Sequence, residues 1–159
     1  TNPKGLQRIP INGVLVEGRW VHYLDTTGTE LIQGGFVAST AKVETLFANE
    51  DIVVVRPKIT VNARIFGYAE VMGDAEISGE AMVYGYAKIS NQAVITDRAK
   101  IFGYSHISIG TIGGDTWAAN AIFRDLRASS INKMMVREIN PIPFSGYKLP
   151  RNNDRERKN

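Results

Sequence analysis

The chain has no cysteine, and among its 159 residues there are only two histidines and two tryptophans. Without cysteine there is no disulfide and no thiolate metal ligand, a composition compatible with a cytoplasmic origin. Two histidines, His22 and His106, cannot supply a three-histidine zinc set, so no metal site is expected. No apolar run approaches the roughly 18 residues a membrane span needs, and the start lacks a signal-peptide pattern, so neither a span nor conventional secretion is expected. Net charge is absent too once the end of the chain is set aside. Residues 148–159 hold Lys148, Arg151, Arg155, Arg157 and Lys158 against Asp154 and Glu156, a surplus of +3 that equals the net charge of the whole chain. The body is therefore neutral, and the tail has no interleaved aromatics, which argues against a nucleic-acid partner. The tail reads as a solvated segment or as an arm for an acidic partner through Arg151, Arg155, Arg157 and Lys158.

What the chain does have is a strict beat of six. Phe47, Val53, Ile59, Ile65, Val71, Ile77, Val83, Ile89, Ile95, Ile101 and Ile107 are each six residues apart. Two residues after the later ones stand Gly67, Gly73, Gly79, Gly85, Asn91, Asp97 and Gly103; four after stand Ala69, Ala75, Ala81, Ala87, Ala93, Ala99 and Ser105. Six is a multiple of the strand period of two and not of the helical 3.6. Gly, Asn and Asp are the residues that most readily adopt the left-handed backbone conformation, so each unit carries a corner. Short strands joined by sharp corners at a fixed period describe a coil whose apolar column is buried only by stacking on its neighbours.

On these three slots, residues 45 to 111 resemble the hexapeptide-repeat superfamily, the left-handed parallel β-helices. The short Ala-x-Val/Ile-x-Gly form resembles versions found in phage, prophage and bacterial proteins of unknown role. The resemblance implies a mainly β fold, a left-handed parallel β-helix of three to four coils, with the aliphatic and small columns inside. It implies no single activity, because the superfamily includes acyltransferases, γ-class carbonic anhydrases, antifreeze proteins and purely structural modules.

Three hexads to a coil give an 18-residue super-period, and the surface residues obey it. Phe66, Tyr84 and Phe102 should form one outward ladder, and Tyr68, Tyr86 and Tyr104 another, at a spacing of roughly 4.8 Å. Glu70, Lys88 and His106 should align across coils, as should Glu80 and Arg98. Six rings on one edge call for cover. Three readings fit: the chain's own flanking segments, a subunit interface, or a stacked ligand such as a glycan.

The flanks divide the chain further. Residues 1–44 read as an N-terminal arm and a small antiparallel β unit, in which Val14–Val16 leads through Glu17 and Gly18 into Arg19–Leu24, then a turn at Asp25–Gly28 and Glu30–Ile32, which would cap the first coil. Residues 45–112 form the β-helix. Residues 113–139 read as a helix from Trp117, capped by Asp115 or Thr116 and ended at Pro141. Residues 140–159 are an extended arm and the basic tail.

The function these features imply is non-enzymatic: a homotrimeric β-helix acting as scaffold or decoration of a larger assembly, a phage virion among the candidates, located in the cytoplasm or the virion. The resemblance also implies an alternative, an acyltransferase using acyl-CoA with His106 as general base. A third is a glycan-binding module using the tyrosines. No cofactor is expected for the structural reading, and protein partners would be met through the terminal arms.

Overall fold

The computed structural model describes residues 5–123. It opens with three antiparallel strands, β1 Gln7–Ile11, β2 Val14–Leu24 and β3 Leu31–Ala38, with β2 in the middle. Asn12 and Gly13 turn the first hairpin, both at positive φ. This is the antiparallel unit expected upstream of the repeat, and it covers the start of the coil.

The rest of the described chain is a parallel β-solenoid. Its first turn starts in β3 and continues in β4 Lys42–Val43. It then leaves the coil for a hairpin, β5 Thr45–Ala48 and β6 Val53–Val55, and closes with β7 Lys58–Ile59. Three uninterrupted turns come next. They are β8 Arg64–Ile65, β9 Glu70–Val71 and β10 Glu76–Ile77; β11 Met82–Val83, β12 Lys88–Ile89 and β13 Val94–Ile95; and β14 Lys100–Phe102, β15 His106–Ile107 and β16 Thr111–Ile112. A partial turn, β17 Trp117–Ala119 and β18 Ile122–Phe123, ends the described residues.

Stacking generates three sheets. One runs β3-β8-β11-β14-β17 and is extended beyond β3 by β2, β6 and β5; the second is β4-β9-β12-β15-β18, and the third β7-β10-β13-β16. Within the regular turns each strand pairs with the one 18 residues on, for example Ile65 with Val83 and Val83 with Ile101. The backbone N–H and C=O groups that a lone two-residue strand would leave bare are thereby bonded along the axis, as in Met82 N to Ala99 O. Every predicted corner from Gly67 to Gly103 has a positive φ, between 54° and 70°.

The interior is one column of aliphatic and alanine side chains, in which Ile59, Ile65, Ile77, Ile89, Ile95, Ile101 and Ile107 are fully buried, as are Ala69 through Ala99. A second cluster lies outside the prism on the first sheet: Phe36, Phe66, Tyr84 and Phe102 pack with Ile11, and Ile9, Val16 and Trp20 lie against them. Trp20 meets Phe36 edge-on at 5.4 Å. The N-terminal hairpin thus lies over this aromatic column.

Two expectations need correction. Phe47 and Val53 keep the beat of six but do not belong to the coil: Phe47 is 55% exposed on the β5–β6 hairpin, and Val53 lies in its second strand. The first turn instead uses Val37 and Val43, which pair with Ile65 and Val71. Gly34 and Gly35 let β3 enter that turn, since a Cβ on either would lie 2.4–2.5 Å from backbone oxygens of Ile59, Thr60 or Ala63. Secondly, the helix expected from Trp117 is absent over residues 117–123, where β17 and β18 continue the solenoid; the rest of the segment to 139, and the arm and tail 140–159, lie outside the described residues.

The final turns are shortened, which is why the beat fails after Ile107. Ile95 pairs with Ile112 and Ile101 with Ala118, 17 residues on, and Ile107 with Phe123, 16 on. Residues departing from the repeat satisfy the displaced backbone donors. Gly114 N–H bonds to the Asp97 carboxylate at 2.7 Å, Ala121 N–H to the Ser105 hydroxyl at 2.9 Å, and Tyr104 N–H to the Asn120 amide oxygen at 2.9 Å.

Candidate functional site: the tyrosine edge

Tyr68, Tyr86 and Tyr104 each follow a left-handed corner, Gly67, Gly85 or Gly103, and precede an inward Ala69, Ala87 or Ser105. With the corner fixing the backbone, all three side chains leave the prism at the same point on successive turns. The rings stack. Tyr68 and Tyr86 have centroids 5.4 Å apart with planes at 10°, and Tyr86 and Tyr104 are 5.2 Å apart at 7°. All three remain exposed, between 48% and 59%.

The companion ladder has the same geometry in a different environment. Phe66 and Tyr84 stack at 4.7 Å and Tyr84 and Phe102 at 5.1 Å, but all three are buried. The sequence placed six rings on one edge; the structure separates them into a buried column beneath the N-terminal hairpin and an open one at the corner.

Both ends of the open ladder differ from its middle. Below Tyr68 the equivalent residue of the first turn is Thr40, whose hydroxyl donates to the Gly67 carbonyl. Beyond Tyr104 the shortened turn supplies no equivalent residue, because Ala121 already aligns with Ser105.

Beside the tyrosines, the second sheet carries an outward column in which Lys42, Glu70, Lys88 and His106 are neighbours in register, as the 18-residue period requires. His106 lies between Lys88 and Ile122 in the strand order, with Glu70 two turns from it, so no carboxylate adjoins it in this column. Glu80 and Arg98 align as expected, in the register that pairs Met82 with Lys100, but the Arg98 guanidinium makes its two-pronged contact with Asp115, at 2.6 and 3.1 Å. That contact raises the Arg98 pKa through hydrogen bonding and charge attraction, Glu80 adding only a weaker attraction. Arg56 is held likewise by Asp74 at 3.2 Å and Glu44 at 3.4 Å, and Glu44 also accepts from Gly73 N–H, so this cluster pins the hairpin's base to the next turn.

Among the described residues no group of three or more His, Asp or Glu side chains is placed to hold a metal ion. No helix among them is long and apolar enough to cross a membrane. Arg151, Arg155, Arg157 and Lys158 lie outside the described residues. Sequence reasoning did not find the β5–β6 hairpin, although Asn49 and Asp51 at its turn were a local signal: the Asn49 side chain accepts from Asp51 and Ile52 N–H groups.

Comparison with known proteins adds no relative: no family model, curated protein or solved structure matches the chain.

Proposed function

We propose that the chain is a non-catalytic scaffold, a left-handed solenoid of the hexapeptide kind that forms a homotrimer through its tyrosine edge and serves a larger assembly. The observation that carries this reading is the orientation of Tyr68, Tyr86 and Tyr104. Stacked rings turn their faces toward each other and present their edges and hydroxyls to solvent, at intervals of 5.2–5.4 Å. A partner that meets every rung must repeat at that interval, and a β-solenoid in parallel register does. A second copy of this chain has that repeat built in. Phenol edges also suit a contact that is apolar at its centre and wet at its rim.

The same orientation counts against the glycan reading. Sugars stack on ring faces, and in this column the faces of Tyr86 are occupied by its neighbours. Among the described residues, the strand neighbours of His106 are Lys88 and Ile122, and neither is a carboxylate that could orient it for the acyltransferase reading. The basic tail is the proposed arm to an acidic neighbour in the assembly, a virion or a cytoplasmic complex.

Light scattering of the wild-type chain and Tyr86→Asp tests this. Three chain masses falling to one, with the circular dichroism unchanged, is the expected result. A wild-type mass of one chain overturns it.

A further inference from the structure

β5 is the last strand of the first sheet, and among the described residues no strand lies on its outer side. All four of its residues are exposed, Leu46 and Phe47 each by more than half. Apart from its shortness and the irregular register at Leu46, it has none of the features that blunt a sheet edge: no charge and no proline stands between Thr45 and Ala48. Outer N–H and C=O groups flanked by two large apolar side chains fit an added strand.

The size of this edge decides what kind of strand it can hold. Four residues offer only a small part of the roughly 1,200–2,000 Å² that a stable contact between separate molecules buries. A segment tethered to the same chain needs far less area, because its effective concentration is on the order of millimolar. Pro143 and Pro150 bound a stretch of this chain, residues 144–149, that is free of proline, and in an extended strand its Tyr147 and Leu149 would share one face. The connection is long enough. β5 lies seven strands from β17 in the sheet order, roughly 34 Å, whereas residues 124–143 can span up to roughly 70 Å.

Charge sets the direction. The turn after Ala48 carries exposed Glu50 and Asp51. At the other end of β5, Glu44 is already held by Arg56 and the Gly73 N–H, and Lys42 adds a positive charge. The chain's whole surplus of positive charge begins at Lys148 and Arg151. A parallel strand takes that basic end to the acidic turn, and an antiparallel one takes it to Lys42.

We propose that residues 144–149 add to the outer side of β5 as a parallel edge strand of the same chain, with Tyr147 and Leu149 beside its apolar pair and the basic tail passing Glu50 and Asp51. The site is independent of the tyrosine edge, which lies on the three regular turns.

The test is residue-resolved amide hydrogen exchange on the full chain. The β5 amides that are not bonded to β6 should exchange slowly, and residues 144–149 with them. Gly146→Pro, which puts a proline in the middle of the added strand, should speed exchange in β5 at least tenfold while Ile89 and Ile101 stay protected. Glu50→Lys should speed it severalfold. The protection should survive dilution and the Tyr86→Asp substitution. Unprotected outer amides in the wild-type chain, or exchange rates unchanged by Gly146→Pro or Glu50→Lys, overturn the proposal. Protection lost on dilution or in Tyr86→Asp would assign the edge to another copy of the chain and likewise overturn it.

Discussion

Tyr84 and Tyr86 are two residues apart, and each is the middle ring of a parallel stack, yet Tyr84 is 3% exposed and Tyr86 48%. The corner at Gly85 turns the chain between them, so one ring lies under the N-terminal hairpin and the other leaves the prism. Replacing each by aspartate should therefore give different results. Tyr84→Asp buries a charge among Phe66, Phe102 and Ile11 and should destabilise the fold by several kcal/mol. Tyr86→Asp should act on the solution mass and lower the urea midpoint only by the concentration-dependent share that assembly supplies. Equal loss of stability in the two variants would contradict this division.

The corners should be the least tolerant positions on the surface. A Cβ added at Gly85 lies 2.9 Å from Gly103 N, at a φ of +68°, so Gly85→Ala meets both a backbone clash and left-handed strain. The strain alone is worth roughly 1–2 kcal/mol, and rigid neighbours on the next turn add to it. Gly13→Ala is the control, because its φ is also positive, +84°, and nothing lies within 4 Å of the added atom. Denaturant unfolding should place Gly85→Ala well below Gly13→Ala, and similar values would mean that the turns can spread.

The small slot is a second intolerance, inside the coil. Ala87 and Ile89 are both fully buried in the single interior column. Ile89→Ala opens a cavity and should cost about 2–5 kcal/mol. Ala87→Leu inserts three carbon atoms into a filled section and should cost about 1–3 kcal/mol or more, because the backbone bonds between turns resist widening. Chemical denaturation of the two single variants checks both values. A double variant Ala87→Leu, Ile89→Ala that recovers stability relative to the single ones would show that volume, not slot identity, is what the column requires.

The regular turns were legible because one six-residue unit encodes strand, corner and inward column together, and each of those depends only on local geometry. Phe47 misled for a physical reason. A plain antiparallel hairpin repeats every two residues and so also satisfies a beat of six; the local sign against it was the missing small residue four positions on, where Asp51 and Pro57 stand in place of the Ala63 that follows Ile59. Residues 117–123 misled in the opposite direction. Turns shortened by a residue spread Ile107, Ile112, Ala118 and Phe123 at spacings of five and six, which hides the coil, and Trp117 with Ala121 then reads as a helical stripe. The cover that the N-terminal hairpin gives Phe66, Tyr84 and Phe102 depends on contacts between distant segments and has no periodic signature.

Asp25 gives a prediction with a pH sign. Its carboxylate accepts from the Thr27 hydroxyl at 2.9 Å and from the Thr29 and Glu30 N–H groups at 3.0 and 3.3 Å, tying the turn between β2 and β3. These bonds, the Thr27 hydroxyl foremost, hold its pKa below the ordinary aspartate value against a smaller opposing effect of desolvation. A carboxyl whose pKa falls on folding binds protons more readily in the unfolded chain. Its contribution is therefore complete above the unfolded value of about 3.9, and is lost as the pH drops through the lower folded value. Asp25→Asn should melt below wild type at pH 6, with the gap narrowing only under about pH 4 as wild type loses the same charge. A gap that stays constant down to pH 2 would show that the turn depends on the shape of the side chain and not on its ionisation.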